Sequence, residues 1–267
     1  MTQTLDIQPI HAFSDNFIWR IGRAGTDTVW VVDPGDARPV LSTLRGEGLR
    51  LGGILITHKH GDHVGGIGPL TQAFPGVPVI GPAGEPIAGL NGRVHEGDRV
   101  ALDGLDLSAR VMEVPGHTEG HIAYVVNPEV GPPLLFCGDT LFSVGCGRVF
   151  SGSHTQLHDS LMRLARLPAE TRVYCAHEYT LDNIGFAKWV EPDNPALLAR
   201  EAEAHAQIDA GADTVPSTMA TERATNPFLR VREPTVVAAA ERKAGRRLAD
   251  SREVFYVIRH WKDTEYD

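Results

Sequence analysis

The sequence predicts an α/β fold followed by a helical segment, and three observations lead there. Short β-branched runs alternate with stretches whose apolar residues recur three or four apart, the pattern of sheets covered by helices. After about residue 178 the texture turns alanine-rich and helical, with no clear strand. Four strand-like runs end in residues that carry chemistry, namely THKHGDH, EVPGH, FCGD and YCAHE.

The elements follow in chain order. DTVWVVDPG (27–35) reads as a strand closed by a Pro-Gly turn, and ARPVLSTLRGEG (37–48) as a helix. LGGILITH (51–58) is a second strand, stopping at a loop made irregular by Gly61, Gly65 and Gly66. LDLSARVMEVPGH (105–117), HIAYVVN (121–127) and PPLLFCGD (132–139) are further strands. HTQLHDSLMRLARL (154–167) is a helix with Ser153 as its N-cap, and TRVYCAHE (171–178) is a last strand. Beyond it, 194–213, 233–248 and 252–263 are helix-patterned. The predicted division is a first domain over 1–178 and a helical domain over 179–267.

Bulk composition excludes several classes. A chain of 267 residues buries a sizeable core unaided, and 42% hydrophobic with 22% charged residues belongs to a soluble globular protein. A net charge of −9 argues against a nucleic-acid partner, and no apolar run reaches the roughly 18 residues of a membrane span. The N-terminus lacks a signal-peptide pattern, and the odd, unpaired set of Cys137, Cys146 and Cys175 reads as reduced, packed thiols. A cytoplasmic location and a monomer are the expectations. An anionic substrate would then require a local cluster of positive charge.

THKHGDHVGG (57–66) holds His58, His60, Asp62 and His63 within six positions, which packing alone does not explain. Imidazole and carboxylate without thiolate suit zinc, manganese or iron. One ion taking all four would be a closed site, whereas two ions sharing the loop need ligands from elsewhere. His117, Asp139 and His177, each at a strand end among small residues, can supply them, and the two oxygens of Asp139 suit a bridge. His11, His95, His154, His158, His205 and His260 read as ordinary surface or core histidines.

H-x-H-x-D-H, then G-H-T, G-D-T and a late histidine resemble the metallo-β-lactamase superfamily. Within it the chain is similar to the glyoxalase II (hydroxyacylglutathione hydrolase) family, through DNFIW (15–19), VDPG (32–35), GDTLFSVGCGR (138–148), TRVYCAHEYTLDN (171–183) and NPFLRVRE (226–233). The resemblance runs over nearly the whole chain. It implies a four-layer αβ/βα sandwich followed by a smaller all-helical domain that binds substrate. It implies two divalent ions per chain, zinc first, with iron or manganese also accepted. His58, His60 and His117 would hold one ion, Asp62, His63 and His177 the other, and Asp139 would bridge them. Asp62 and Asp139 are thus the carboxylates on which catalysis would depend. Asp33 and His121 would support the ligands from behind.

The implied reaction is hydrolysis of S-(2-hydroxyacyl)glutathione, typically S-D-lactoylglutathione, the second step of methylglyoxal detoxification. Paired cations would make water a nucleophile near neutral pH, and a thiol with a pKa near about 8.5 leaves without a general acid. The resemblance assigns the glutathione carboxylate to Arg259 and Lys262, which lie three apart and so share a helix face. Tyr179, Arg148 and Phe150 complete the substrate contacts. Arg148 and Phe150 depart from the family's frequent lysine and tyrosine. The missing phenolic hydroxyl would cost on the order of 0.5–1.5 kcal/mol of binding. A persulfide dioxygenase and a lactonase of the same superfamily are the alternatives; the helical domain and its R-x-x-K tail argue against them.

Overall fold

The structure, a computed structural model, describes residues 4–266. The chain packs as two units. One comprises the residues up to Val114 together with Thr118–Gly138, and the other Pro115–His117 together with Asp139 onward.

In the first unit β1 (Leu5–Ala12) and β2 (Asn16–Arg23) form an antiparallel hairpin not expected from the sequence. β2 pairs with β3 (Thr28–Val32), whose TVWVV is buried throughout. A run buried on both faces suits a parallel strand, and β3 lies parallel to β4 (Arg50–Leu55). The crossover is α1 (Ala37–Glu47). It starts at Asp36, which accepts from the Arg38 amide, and ends at Gly48 in the left-handed conformation. Its buried residues Ala37, Val40 and Leu44 recur three and four apart and join a core with Val31, Ile54, Val79 and Leu70. α2 (Gly61–Val64) and α3 (Ile67–Ala73) follow β4, and β5 (Val79–Pro82) and β6 (Gly92–Val94) complete a six-stranded sheet in sequence order.

Four antiparallel strands of a second sheet belong to the same unit: β7 (Arg99–Leu102), β8 (Leu107–Glu113), β9 (Ile122–Val126) and β10 (Leu134–Gly138). Tyr124 of β9 is fully buried, and its hydroxyl donates to the Ile56 carbonyl at 2.9 Å, with the Ile80 carbonyl at 3.2 Å. Burial pushes the phenol well above its ordinary pKa, so it stays a donor. The Trp30 indole donates to the Asp103 carbonyl at 3.1 Å, so the two sheets are joined by polar as well as apolar contacts.

In the second unit β11 (Leu141–Phe142) and β12 (Gly145–Cys146) form a tight hairpin. Its turn places Val144 at φ 59, a conformation β-branched residues rarely adopt. The Val144 amide donates to the buried Glu222 at 2.8 Å, and Asn226 donates to the Gly145 carbonyl at 2.9 Å, which holds the turn. Burial raises the Glu222 carboxyl above its ordinary range. α4 (His154–Leu164) begins at Ser153, whose hydroxyl accepts from the Gln156 amide, as predicted. β13 (Arg172–Cys175) precedes α5 (Thr180–Val190) and α6 (Pro195–Asp209). Then come β14 (Ser217–Thr218), α7 (Met219–Thr225), α8 (Pro234–Ala244) and α9 (Ser251–Trp261), which runs into a π-helical turn, Lys262–Tyr266.

Several elements here are not announced by the sequence, β14 and α5 among them. β14 is a strand where none was predicted after residue 178; it pairs with β13, and two residues show no alternation to read. α5 was not predicted because Thr180, Asn183, Ile184, Phe186, Ala187 and Val190 are buried around most of its circumference, leaving no amphipathic stripe. Phe186, Phe228 and Phe255 anchor this unit's core, with ring centroids 6.0 and 5.8 Å apart in succession. All three cysteines are free and buried, and no described helix is long and apolar enough to cross a membrane.

Candidate metal centre

The clustered motif follows β4. It is more regular than its glycines suggest, since His60 precedes α2, a single helical turn carrying Asp62 and His63. The glycines serve close packing against the VDPG turn after β3. A Cβ on Gly66 would meet the Pro34 carbonyl oxygen at 2.2 Å, and one on Gly35 would meet the Asp62 carbonyl oxygen at 1.8 Å.

That packing brings Asp33 under the ligand turn. Asp33 sits at φ 52 and is 4% exposed. One of its oxygens accepts from the Thr57 amide at 2.7 Å. The other accepts from the Thr57 hydroxyl at 2.7 Å and faces His63 Nδ1 at 3.1 Å. Thr57 Oγ1, its proton given to Asp33, is left to accept from His58 Nδ1 at 3.1 Å. One carboxylate therefore sets two imidazoles to the tautomer that keeps the lone pair on Nε2. His121 stacks on His58 at 4.6 Å between centroids. His58 Nε2 lies 3.1 Å from His60 Nδ1, and His63 Nε2 lies 3.3 Å from Asp62 Oδ2.

The second unit holds the remaining three residues. His117 Nδ1 donates to the Arg148 carbonyl at 2.8 Å, which again places the lone pair on Nε2. That nitrogen is 3.4 Å from Asp139 Oδ2, while His177 Nε2 is 3.3 Å from Asp139 Oδ1. Asp139 thus turns one oxygen to each histidine.

These contacts supply a test of metal fit. A lone-pair nitrogen facing a carboxylate oxygen is an acceptor meeting an acceptor, unfavourable unless a cation lies between them. Two ligand atoms each about 2.0–2.1 Å from a tetrahedral ion lie about 3.3–3.4 Å apart. His63–Asp62, His117–Asp139 and His177–Asp139 all match that spacing, so the donor set fits a divalent metal. The absence of sulfur among these residues suits zinc, iron or manganese alike.

The predicted substrate residues all lie in the second unit, in different settings. Tyr179 is 36% exposed, stacked on His177 at 4.8 Å, and Phe150 is 66% exposed, edge-on to His117 at 5.2 Å. The Arg148 side chain is half exposed, 3.8 Å from Asp263. Arg259 and Lys262 are buried. Arg259 lies in the last turn of α9, donating to the Cys146 carbonyl at 3.0 Å and to Asp263 at 2.8 Å, with its guanidinium over Phe228. Lys262 opens the π-helical turn and donates to Asp182 at 3.1 Å. Thr57, Asn16, Asp182 and Asp263 had no assigned role in the sequence; short polar residues beside motifs carry no signal until the chain folds.

Residues 16–177 match the metallo-beta-lactamase superfamily, and residues 178–265 match the hydroxyacylglutathione hydrolase C-terminus. The hydroxyacylglutathione hydrolase of Alkalilimnicola ehrlichii is 51% identical over 258 residues, covering 97% of this chain and 98% of that one. Its counterpart in Cupriavidus taiwanensis is 50% identical over 265 residues, covering 97% and 98%. Among solved structures, ETHE1 from Myxococcus xanthus superposes with a TM-score of 0.66 at 23% identity, covering 98% and 93%, a likeness of fold. TTHA1623 in a di-iron-bound form gives a TM-score of 0.56 at 25% identity, covering 83% and 100%. The fold is thus that of the metallo-β-lactamases, extended by the helical region of one branch. With half its residues shared nearly end to end with those thioester hydrolases, the chain belongs to the hydroxyacylglutathione hydrolase family of the metallo-β-lactamase superfamily.

Proposed function

We propose that this chain hydrolyses S-(2-hydroxyacyl)glutathione, typically S-D-lactoylglutathione, to a 2-hydroxy acid and glutathione, the second step of methylglyoxal detoxification, using two divalent ions. His58, His60 and His117 would hold one ion, and Asp62, His63 and His177 the other, a grouping that rests on the family resemblance. The observation that carries the dinuclear reading is Asp139, with one oxygen 3.4 Å from His117 Nε2 and the other 3.3 Å from His177 Nε2. A di-iron form of a relative with the same fold supports it. Zinc is the first expectation, with iron or manganese acceptable to the same ligands.

When bound, such a pair supplies Lewis acidity to the thioester carbonyl and a lowered pKa to water. The chain's own contribution is orientation. Asp33, through Thr57, and the Arg148 carbonyl keep three imidazole lone pairs aimed as ligands. The leaving thiolate requires no proton donor, because a thiol pKa near about 8.5 makes it a competent leaving group.

Glutathione recognition falls to the helical segment 179–267, through Tyr179, Arg259 and Lys262, joined by Arg148 and Phe150 from the segment before it. Arg148, Arg259 and Lys262 would there answer the charge problem of an anionic substrate and a chain of net charge −9. Three buried free thiols suit a reducing compartment, and we place the protein in the cytoplasm as a monomer.

The test is turnover of S-D-lactoylglutathione by purified protein, followed by thiol release, with metal content measured on the same sample. Chelator-sensitive hydrolysis at about two ions per chain is expected. A fully loaded protein without turnover refutes the activity, and full activity at one ion refutes the dinuclear reading.

A further inference from the structure

Asn16 opens β2 and is 7% exposed. Its amide Nδ2 donates to Asp62 Oδ2 at 3.0 Å, and that same oxygen lies 3.3 Å from His63 Nε2. The two neighbours on α2 are held very differently. The His63 side chain is wholly buried and tied to Asp33, whereas the Asp62 side chain is 40% exposed on the same single helical turn. Packing therefore constrains the Asp62 carboxylate less than the His63 ring, and the Asn16 amide adds a polar contact that bears on its direction.

We propose that Asn16 is the positioning residue for Asp62, fixing the oxygen that faces His63 so that one of its lone pairs stays directed at an ion. The proposal rests on the reading of Asp62 as a ligand. An amide suits the task because it is neutral. A lysine or arginine in its place would share the carboxylate's charge and compete with the ion for it, whereas Asn16 orients the group and leaves its charge intact. The mounting is stiff. Asn16 faces Ala12 across a ladder that continues to Leu5 opposite Arg23, and the three-residue turn between the strands carries Phe13 at φ 52. DNFIW thus has a physical reason for its asparagine: the hairpin reaches across to the ligand turn and sets one side chain there.

The test compares Asn16→Leu, close in volume but without a donor, with Asn16→Ala and Asp62→Ala. Zinc stoichiometry and affinity are read by competition with a chromophoric chelator, alongside thermal melting of the metal-free proteins. Both Asn16 variants are expected to bind one zinc equivalent about 10–100-fold more weakly and the other as the parent does, with metal-free melting unchanged. At saturating zinc their turnover is expected to return toward the parent value, since Asn16 acts through a ligand and not on the substrate. Parent-like affinity for both equivalents in Asn16→Leu overturns the proposal, as does turnover that stays low at full occupancy. If Asp62→Ala itself keeps both equivalents, the ligand reading falls; if it loses one while the Asn16 variants lose none, the positioning role alone falls.

Discussion

Asp33 and His63 meet at 3.1 Å with side-chain exposures of 3% and 0%, and the same carboxylate takes both polar hydrogens of Thr57. One buried group thereby orients two imidazoles. Asp33→Ala is expected to lower zinc affinity by about 10–100-fold. Chelator competition checks this, with circular dichroism confirming that the fold survives.

Asp139 offers one oxygen to His117 and one to His177. Asp139→Asn keeps the shape but removes the charge that makes a shared ligand. Bound metal is expected to fall below two per chain, with loss of most thioesterase activity. Unchanged stoichiometry by elemental analysis contradicts the bridge.

Arg148 and Arg259 separate binding from architecture. The Arg148 carbonyl holds His117, so Arg148→Ala leaves that contact in place and removes only a half-exposed cation. KM for glutathione thioesters is expected to rise about 2- to 10-fold with kcat nearly unchanged. Arg259, at 1% exposure, bonds the Cys146 carbonyl and Asp263. Its alanine variant is expected to lose about 2–4 kcal/mol of stability in denaturant titration, in addition to raising KM.

Phe150 exposes most of its ring and packs its edge on His117. Phe150→Tyr adds a hydroxyl at the ring's outer end. If that end meets the peptide moiety of glutathione, KM is expected to fall by about 2- to 10-fold. No change in KM removes Phe150 from the substrate contacts.

Burial pushes the Cys146 thiol up to about 11 and the Cys175 thiol up to about 12. At pH 8 only about one Cys146 in a thousand is thiolate, so thiol reagents are expected to label native protein negligibly and unfolded protein at all three sites. The sign for stability follows from linkage. The unfolded thiols ionise first, near 9.0, so this contribution is intact below that pH and is lost as pH rises toward 11. Thermal melting from pH 8 to 11 reads it.

Legibility varied with the kind of physics involved. The candidate ligand residues were conspicuous because histidine and aspartate at short spacing stand out chemically, and because strand ends are marked by β-branched runs. The hairpin Leu5–Arg23 was not, since its three-residue tip, FSD, lacks the tight two-residue turn signature that announces a hairpin. α5 escaped because a helix buried nearly all round has no face to contrast.

By itself the sequence determined the residue chemistry, the alternation of strands and helices, and the family. Those depend on local periodicity and on residue type, which the chain carries in order. Only the tertiary structure decided which nitrogen of each imidazole is free, that Asp33 governs two histidines, that Asn16 reaches Asp62, and that Arg259 and Lys262 are buried instead of solvated. Each of these is a contact between residues distant in the chain, and a hydrogen bond's direction exists only once both partners are placed in space.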